Sequence, residues 1–185
     1  MKKWELFEKY VTKHFVETGT YQGEAIDYAL KFGFDNISSV ELSEVLYLKN
    51  KDKFSSFENV KLYHGDSGEV LWDMIKNIDT KITFWLDGHY HPRGQFRHDN
   101  PEKISWGNSE KDDLWTPIER ELSKIKRHPI KEHNIIIDDI GEFSTKEYGN
   151  VSTSELELMI LQINKNYKFK YYNGWREDDI LVAYI

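Results

Sequence analysis

Two short stretches place acids and histidines where they could meet. LDGHYH puts Asp87, His89 and His91 just past one apolar run, and IIIDDI puts Asp138 and Asp139 just past another. Carboxylates that converge without a counter-ion repel and raise one another's pKa. A hard divalent cation removes that conflict, and carboxylate oxygens with water suit magnesium. Such an ion lowers the pKa of a bound hydroxyl and makes its oxygen a nucleophile. Asp87, Asp138 and Asp139 are therefore candidate metal ligands, provided the two runs lie side by side. A plainer reading makes Asp138 a helix cap or a backbone acceptor. His89 titrates near neutrality, which fits a general base. It equally fits a metal ligand or a surface residue with no role, and His91 reads as loop.

A third stretch, HFVETGTYQGEA, passes from an apolar run through Gly19 and Gly23 into a helical pattern. Glycine lets backbone approach a ligand closely, and a helix start offers free N–H groups. A pyrophosphate would suit those N–H groups but not Glu17 beside them, so the turn fits a ligand with a positive centre. Glu41 ends the run SVEL, where an acid can take both hydroxyls of a ribose. HGDS, residues 64 to 67, ends the next run. There Asp66 can accept from an adenine amino group and Ser67 can cap the following helix. Singly, each signal also reads as an ordinary turn or a solvated acid. Their order along one chain is the more specific observation.

These residues need a scaffold, and the chain supplies an alternation. HFVETG, ISSVEL, VKLYHGDS, KITFWLDGHY and HNIIIDDI read as strands. GEAIDYALKFG, SEVLYLKNKDKF, GEVLWDMIKNI, LWTPIERELSKIKRH and TSELELMILQINKN read as helices between or after them, with Ser43 a cap and Pro117 suited to a first turn. Crossover helices between strands imply a parallel sheet covered on both faces. YKFKYYNG and DDILVAYI have no helix between them and should pair antiparallel at one edge. The expected fold is α/β: a Rossmann-like three-layer sandwich with a mostly parallel seven-stranded sheet and an antiparallel C-terminal edge hairpin. Residues 1–185 read as one domain. The polar stretch 91–113 reads as a disordered loop or as a lid over the site.

Composition narrows the partners. A formal net charge of -7 argues against a nucleic-acid backbone. The absence of cysteine excludes disulfides, thiolate zinc sites and a cysteine nucleophile. The start, MKKWELFEKY, is charged and amphipathic and resembles neither a signal peptide nor a membrane span. A cytoplasmic protein acting on a small molecule, with no nucleic-acid or membrane partner, is the expectation. A homodimer is compatible with it.

ETGTYQG, VEL, GDS and LDGHY resemble, in order, the motifs of the class I S-adenosylmethionine-dependent methyltransferases, over nearly the whole chain. The resemblance implies that Glu17, Gly19 and Gly23, with Thr20 and Tyr21 in the same turn, hold the methionine end of S-adenosyl-L-methionine. It implies the ribose at Glu41 and Leu42, and the adenine side at Asp66 and Ser67. Tyr21 stands where the common first motif has a middle glycine, and this variant resembles the macrocin-type small-molecule O-methyltransferases. In those enzymes an acid on the fourth strand and an Asp-Asp pair on the fifth bind magnesium, which matches Asp87, Asp138 and Asp139. His89 stands where they carry another acid, thought to be the base. The TPIERELSKI block, residues 116–125, also occurs in methyltransferase-like proteins and implies shared fold rather than substrate. The function implied is methyl transfer to an oxygen of a small molecule, with a sugar one such acceptor, catalysed by His89 and Asp87 with Mg2+. The rival readings are a non-catalytic protein that keeps the cofactor pocket, and a nucleotide or sugar enzyme of the same architecture.

Overall fold

The computed structural model describes residues 3–89 and 116–185. The stretch read as loop or lid, 91–113, and His91 within it lie outside the described residues.

The expected alternation is what forms. The helix α1 (Glu5–Lys9) precedes β1 (His14–Thr18), α2 (Glu24–Phe32), β2 (Asn36–Glu41), α3 (Glu44–Lys53) and β3 (Val60–His64). Then follow α4 (Ser67–Ile75), β4 (Ile82–Leu86), α5 (Ile118–Arg127), β5 (Asn134–Ile137), two 3-10 turns at Ile140–Glu142 and Lys146–Tyr148, α6 (Thr153–Leu161), β6 (Lys168–Tyr172) and β7 (Ile180–Tyr184). The seven strands lie in the order β3-β2-β1-β4-β5-β7-β6. β1 pairs in parallel with both β2 and β4, so the strand order reverses around it. β7 runs antiparallel between β5 and β6, which makes the terminal pair the edge hairpin expected.

Strand parity builds two cores. Val16, Phe84, Leu86, Ile135 and Ile137 face α4, α5 and α6, packing with Leu71, Ile118, Leu122 and Ile160. Phe15, Trp85, Ile136 and Val182 face the other way, packing with Leu6, Phe7, Ile26 and Ala29 of α1 and α2. β4 and β5 are buried on both faces, which is why they read as unbroken apolar runs. Local signals hold the helices in place. Ser43 caps α3 by accepting from the Leu46 N–H, and Ser152 forms a reciprocal capping box with Glu155 on α6. No helix among the described residues is long and apolar enough to cross a membrane.

Candidate functional site

The parallel strands deliver their carboxyl ends to one edge, where open α/β sheets bind ligands. β1 ends at Glu17 and Thr18. Glu17 is only 1% exposed, and its Oε2 accepts from Ser39 Oγ at 2.6 Å. Ser39 Oγ lies 2.6 Å from Thr20 Oγ1, so the chain of hydroxyls runs from the strand into the turn. Burial raises the Glu17 carboxyl well above its ordinary range, the Ser39 bond opposes this, and the Asp87 and Glu41 charges add to it.

The turn itself is sewn to β2. The Gly19 and Thr20 N–H groups both donate to the Val40 carbonyl, at 2.9 and 3.3 Å. Gly19 has φ +82°, and a Cβ there would stand 2.3 Å from the Asp87 carbonyl oxygen at the end of β4. A Cβ on Gly23 would strike the Phe54 ring and the Asn50 amide oxygen at 2.5 and 2.7 Å. The glycines were expected to make room for a ligand. In the structure the space beside them belongs to the protein's own β4 and α3, so packing alone demands glycine there. The Gly23 N–H, at the start of α2, donates to the Thr20 carbonyl.

Glu41 was expected to offer both oxygens to a ribose. Here Oε2 accepts from the Tyr21 N–H at 2.8 Å and Oε1 from the Ser43 N–H at 2.9 Å. Each oxygen keeps a lone pair, so hydroxyls can still be accepted. Burial raises the Glu41 carboxyl, and the backbone N–H bonds oppose that rise. Tyr21 is held at φ +48°, with its carbonyl accepting from Asn50 Nδ2 at 2.6 Å. The Leu42 carbonyl lies 3.2 Å from His64 Nε2.

At the end of β3 the capping roles differ from those expected. Asp66, not Ser67, caps α4, accepting from the Gly68 N–H at 2.8 Å, because Asp66 holds the extended backbone of a cap and Ser67 is already helical. The other Asp66 oxygen accepts from Arg120 Nη1 at 2.8 Å. Ser67 Oγ donates instead to Glu121 Oε1. A Cβ on Gly88 would lie 3.1 Å from Glu121 Oε1 and 3.2 Å from both Ser67 Oγ and Thr18 Oγ1, so these three polar groups converge beside β4. Burial pushes the Glu121 carboxyl up to about 7, against the pull of its Ser67 hydrogen bond.

The second cluster lies past β4 and β5. The three carboxylates Asp87, Asp138 and Asp139 were expected to converge. What converges is Asp87, His89 and Asp139, whose nearest ligand atoms lie within 4.8 Å of one another. His89 Nε2 is 3.1 Å from Asp139 Oδ2, and its Nδ1 is 3.4 Å from Asp87 Oδ1. Asp138 turns away and is fully buried, ion-paired with Lys3. Parity explains the split. Asp138 shares the orientation of Ile136 and faces α1, whereas Asp139 adopts φ +52° and leaves the strand.

The charges couple. Burial pushes Asp138 up to about 8, with the Asp87 charge adding and Lys3 opposing. Burial also raises Asp87, against Lys3 and His89. Burial would raise Asp139 too, but the hydrogen bond and charge of His89 hold it below its ordinary range. Burial would lower His89, yet the bond to Asp139 and the Asp87 charge raise it instead. The two carboxylates thus favour the imidazolium form of His89 more than burial disfavours it.

Sequence reasoning missed Lys3, Arg120, Glu121, Ser39 and Asn50. Glu121 left a trace: Ile118, Glu121, Leu122 and Ile125 occupy the i, i+3, i+4, i+7 stripe that α5 buries.

The sheet order and helix placement give a Rossmann-like fold shared with solved methyltransferases. No protein-family profile and no curated protein sequence matches it. Solved structures do. A Staphylococcus aureus protein assigned as a caffeoyl-CoA O-methyltransferase is 12% identical with a TM-score of 0.60, over 98% of this chain and 79% of that one. The methyltransferase PaMTH1 of Podospora anserina, solved with SAH bound, is 11% identical with a TM-score of 0.58, over 98% and 75%. The O-methyltransferase TomG of Streptomyces achromogenes, solved with SAM, is 10% identical with a TM-score of 0.56, over 98% and 77%. At such identities the likeness speaks for the fold and leaves the acceptor open.

Proposed function

We propose that this protein transfers a methyl group from S-adenosyl-L-methionine to an oxygen of a small molecule, and that it does so in the cytoplasm. The observation that carries this reading is the placement of Glu17, Glu41 and Asp66 at the ends of β1, β2 and β3, beside a glycine turn sewn to the sheet. The SAM-bound and SAH-bound neighbours of the same fold support it.

The residues present fit the cofactor. Glu17 and the 19–23 turn would hold its methionine end, where buried carboxylate suits a positive centre. Glu41 would accept from the ribose through the lone pairs its backbone partners leave free. The turn at Asp66, braced by Arg120, would flank the adenine. A divalent ion fits the trio of Asp87, His89 and Asp139, because buried His89 Nδ1 has no hydrogen-bond partner among the described residues. An imidazole among the donors favours manganese over the magnesium expected from three carboxylates. When bound, the cofactor supplies the methyl group and the ion supplies charge that lowers an acceptor hydroxyl's pKa. The protein's own contribution is to align donor and acceptor above β1 and β4 and to keep Asp139 and His89 oriented against each other. A sugar hydroxyl is one acceptor this chemistry serves.

Titration calorimetry with S-adenosylhomocysteine and with NAD tests the reading. S-adenosylhomocysteine should bind, and Glu41→Ala should weaken it by about 1.5–3 kcal/mol, the worth of a charge-assisted contact. Tighter binding of NAD would overturn the assignment.

A further inference from the structure

Resting on the divalent-ion part of that reading, we propose that the Lys3 ammonium and a divalent cation compete for Asp87, so that metal loading displaces Lys3. Lys3 Nζ is ion-paired with buried Asp138 and lies 3.9 Å from Asp87 Oδ2. The other Asp87 oxygen faces His89 Nδ1 at 3.4 Å. Asp87 is thus shared, with one oxygen toward the ammonium and one toward the imidazole. An ion on Asp87, His89 and Asp139 would sit next to the Lys3 ammonium, and two cations on one carboxylate repel.

Two features make Lys3 the occupant that yields. It lies before α1, and the anchors of that segment are Leu6 and Phe7, both buried further along the chain. Among the described residues, the ammonium beyond its carboxylates lies over ring faces, 4.9 Å from the Trp4 centroid and 5.0 Å from that of Trp85. Lys3 can therefore leave while α1 stays packed. The second feature is His89 Nδ1, whose side chain is 4% exposed and aimed at Asp87 without a hydrogen-bond partner among the described residues. A metal would use that nitrogen, and the ammonium does not.

The experiment is calorimetric titration of Mn2+ into the wild-type chain, Lys3→Met and Lys9→Met. Lys3→Met should bind Mn2+ at least about tenfold tighter, because the competing cation is gone, and Lys9→Met should match wild type. A second measurement needs no variant: Mn2+ should speed trypsin cleavage after Lys3, read by mass spectrometry of the N-terminal peptide. Equal or weaker Mn2+ affinity in Lys3→Met, or protection of Lys3 from trypsin by Mn2+, overturns the displacement and leaves the divalent-ion reading standing. Absence of Mn2+ binding in every protein overturns both together.

Discussion

Ser67 Oγ donates to Glu121 Oε1 at 2.5 Å, joining the first residue of α4 to the first turn of α5. The neighbouring residues repeat the link, with Arg120 on Asp66. Consecutive residues of one helix thus grip consecutive residues at the start of the other. The turn that would flank the adenine is held by α5, the helix that resumes the described chain at its second half.

The burial of Glu121 makes stability depend on pH. Glu121 ionises at about 7 in the folded chain against an ordinary 4.5. The folded state holds the extra proton between those values, so stability falls as pH rises through that window and levels off above it. The decline attributable to Glu121 is on the order of 3–4 kcal/mol at most, from roughly 1.4 kcal/mol per pKa unit. Glu121→Gln should remove that share of the decline, raising stability over wild type at about pH 8 and leaving it similar near pH 4. Urea unfolding at both pH values measures it, and parallel wild-type and mutant profiles would show that Glu121 titrates normally.

Gly19 and Gly33 share a positive φ but not an environment. A Cβ on Gly33 meets nothing within 4 Å, whereas one on Gly19 meets the Asp87 carbonyl. Gly33→Ala should cost only the left-handed backbone, about 1–2 kcal/mol. Gly19→Ala should cost this plus the roughly 1–3 kcal/mol of overpacking. Equal losses in denaturant titrations of the two variants would mean that β1 and β4 part freely.

The Asp139–His89 contact predicts a shift that NMR can read. Asp139→Asn removes the partner that raises His89, so the imidazole should titrate at lower pH than in wild type. A raised histidine contributes stability that is full below its unfolded value and is lost as pH rises through the folded one. Asp139→Asn should therefore destabilise more near pH 6 than near pH 9. An unmoved His89 midpoint would assign the rise to Asp87 and Asp138 instead.

Asn50 shapes the turn from outside it. Its Nδ2 donates to the Tyr21 carbonyl at 2.6 Å and to the Leu46 carbonyl at 3.0 Å. Asn50→Ala should leave α3 folded, release Tyr21 from φ +48°, and weaken S-adenosylhomocysteine by about tenfold, or 1.4 kcal/mol. Calorimetry decides, and unchanged affinity would detach the loop's shape from binding.

The sheet was legible because its signals are local. Continuous apolar runs betray strands buried on both faces, and the missing helix between the last two strands betrays their antiparallel pairing. The acids at strand ends could be ordered for the same reason. Their partners were not legible. Asp138 follows Ile136 in parity, so its orientation was written in the strand, but the lysine that meets it lies far away in sequence. α1 has only five residues, too few to show a period. Glu121 sits among charged neighbours in IERELSKIKR, and only its place in the apolar stripe marks it as buried.

The reversed direction of β7 has a consequence for how such a protein can diversify. Strands β1 to β5 offer their ends to the site, but β7 offers its beginning: Asp179, just before it, accepts from the Ile140 N–H through its carbonyl at 3.0 Å. The short link from β6 into β7 therefore borders Asp139 directly and carries Trp175, 88% exposed. Changes at its exposed positions, such as Trp175, alter the rim of the site without threading through a crossover helix. The exposed tip of that hairpin is therefore where the rim of the site can vary most freely.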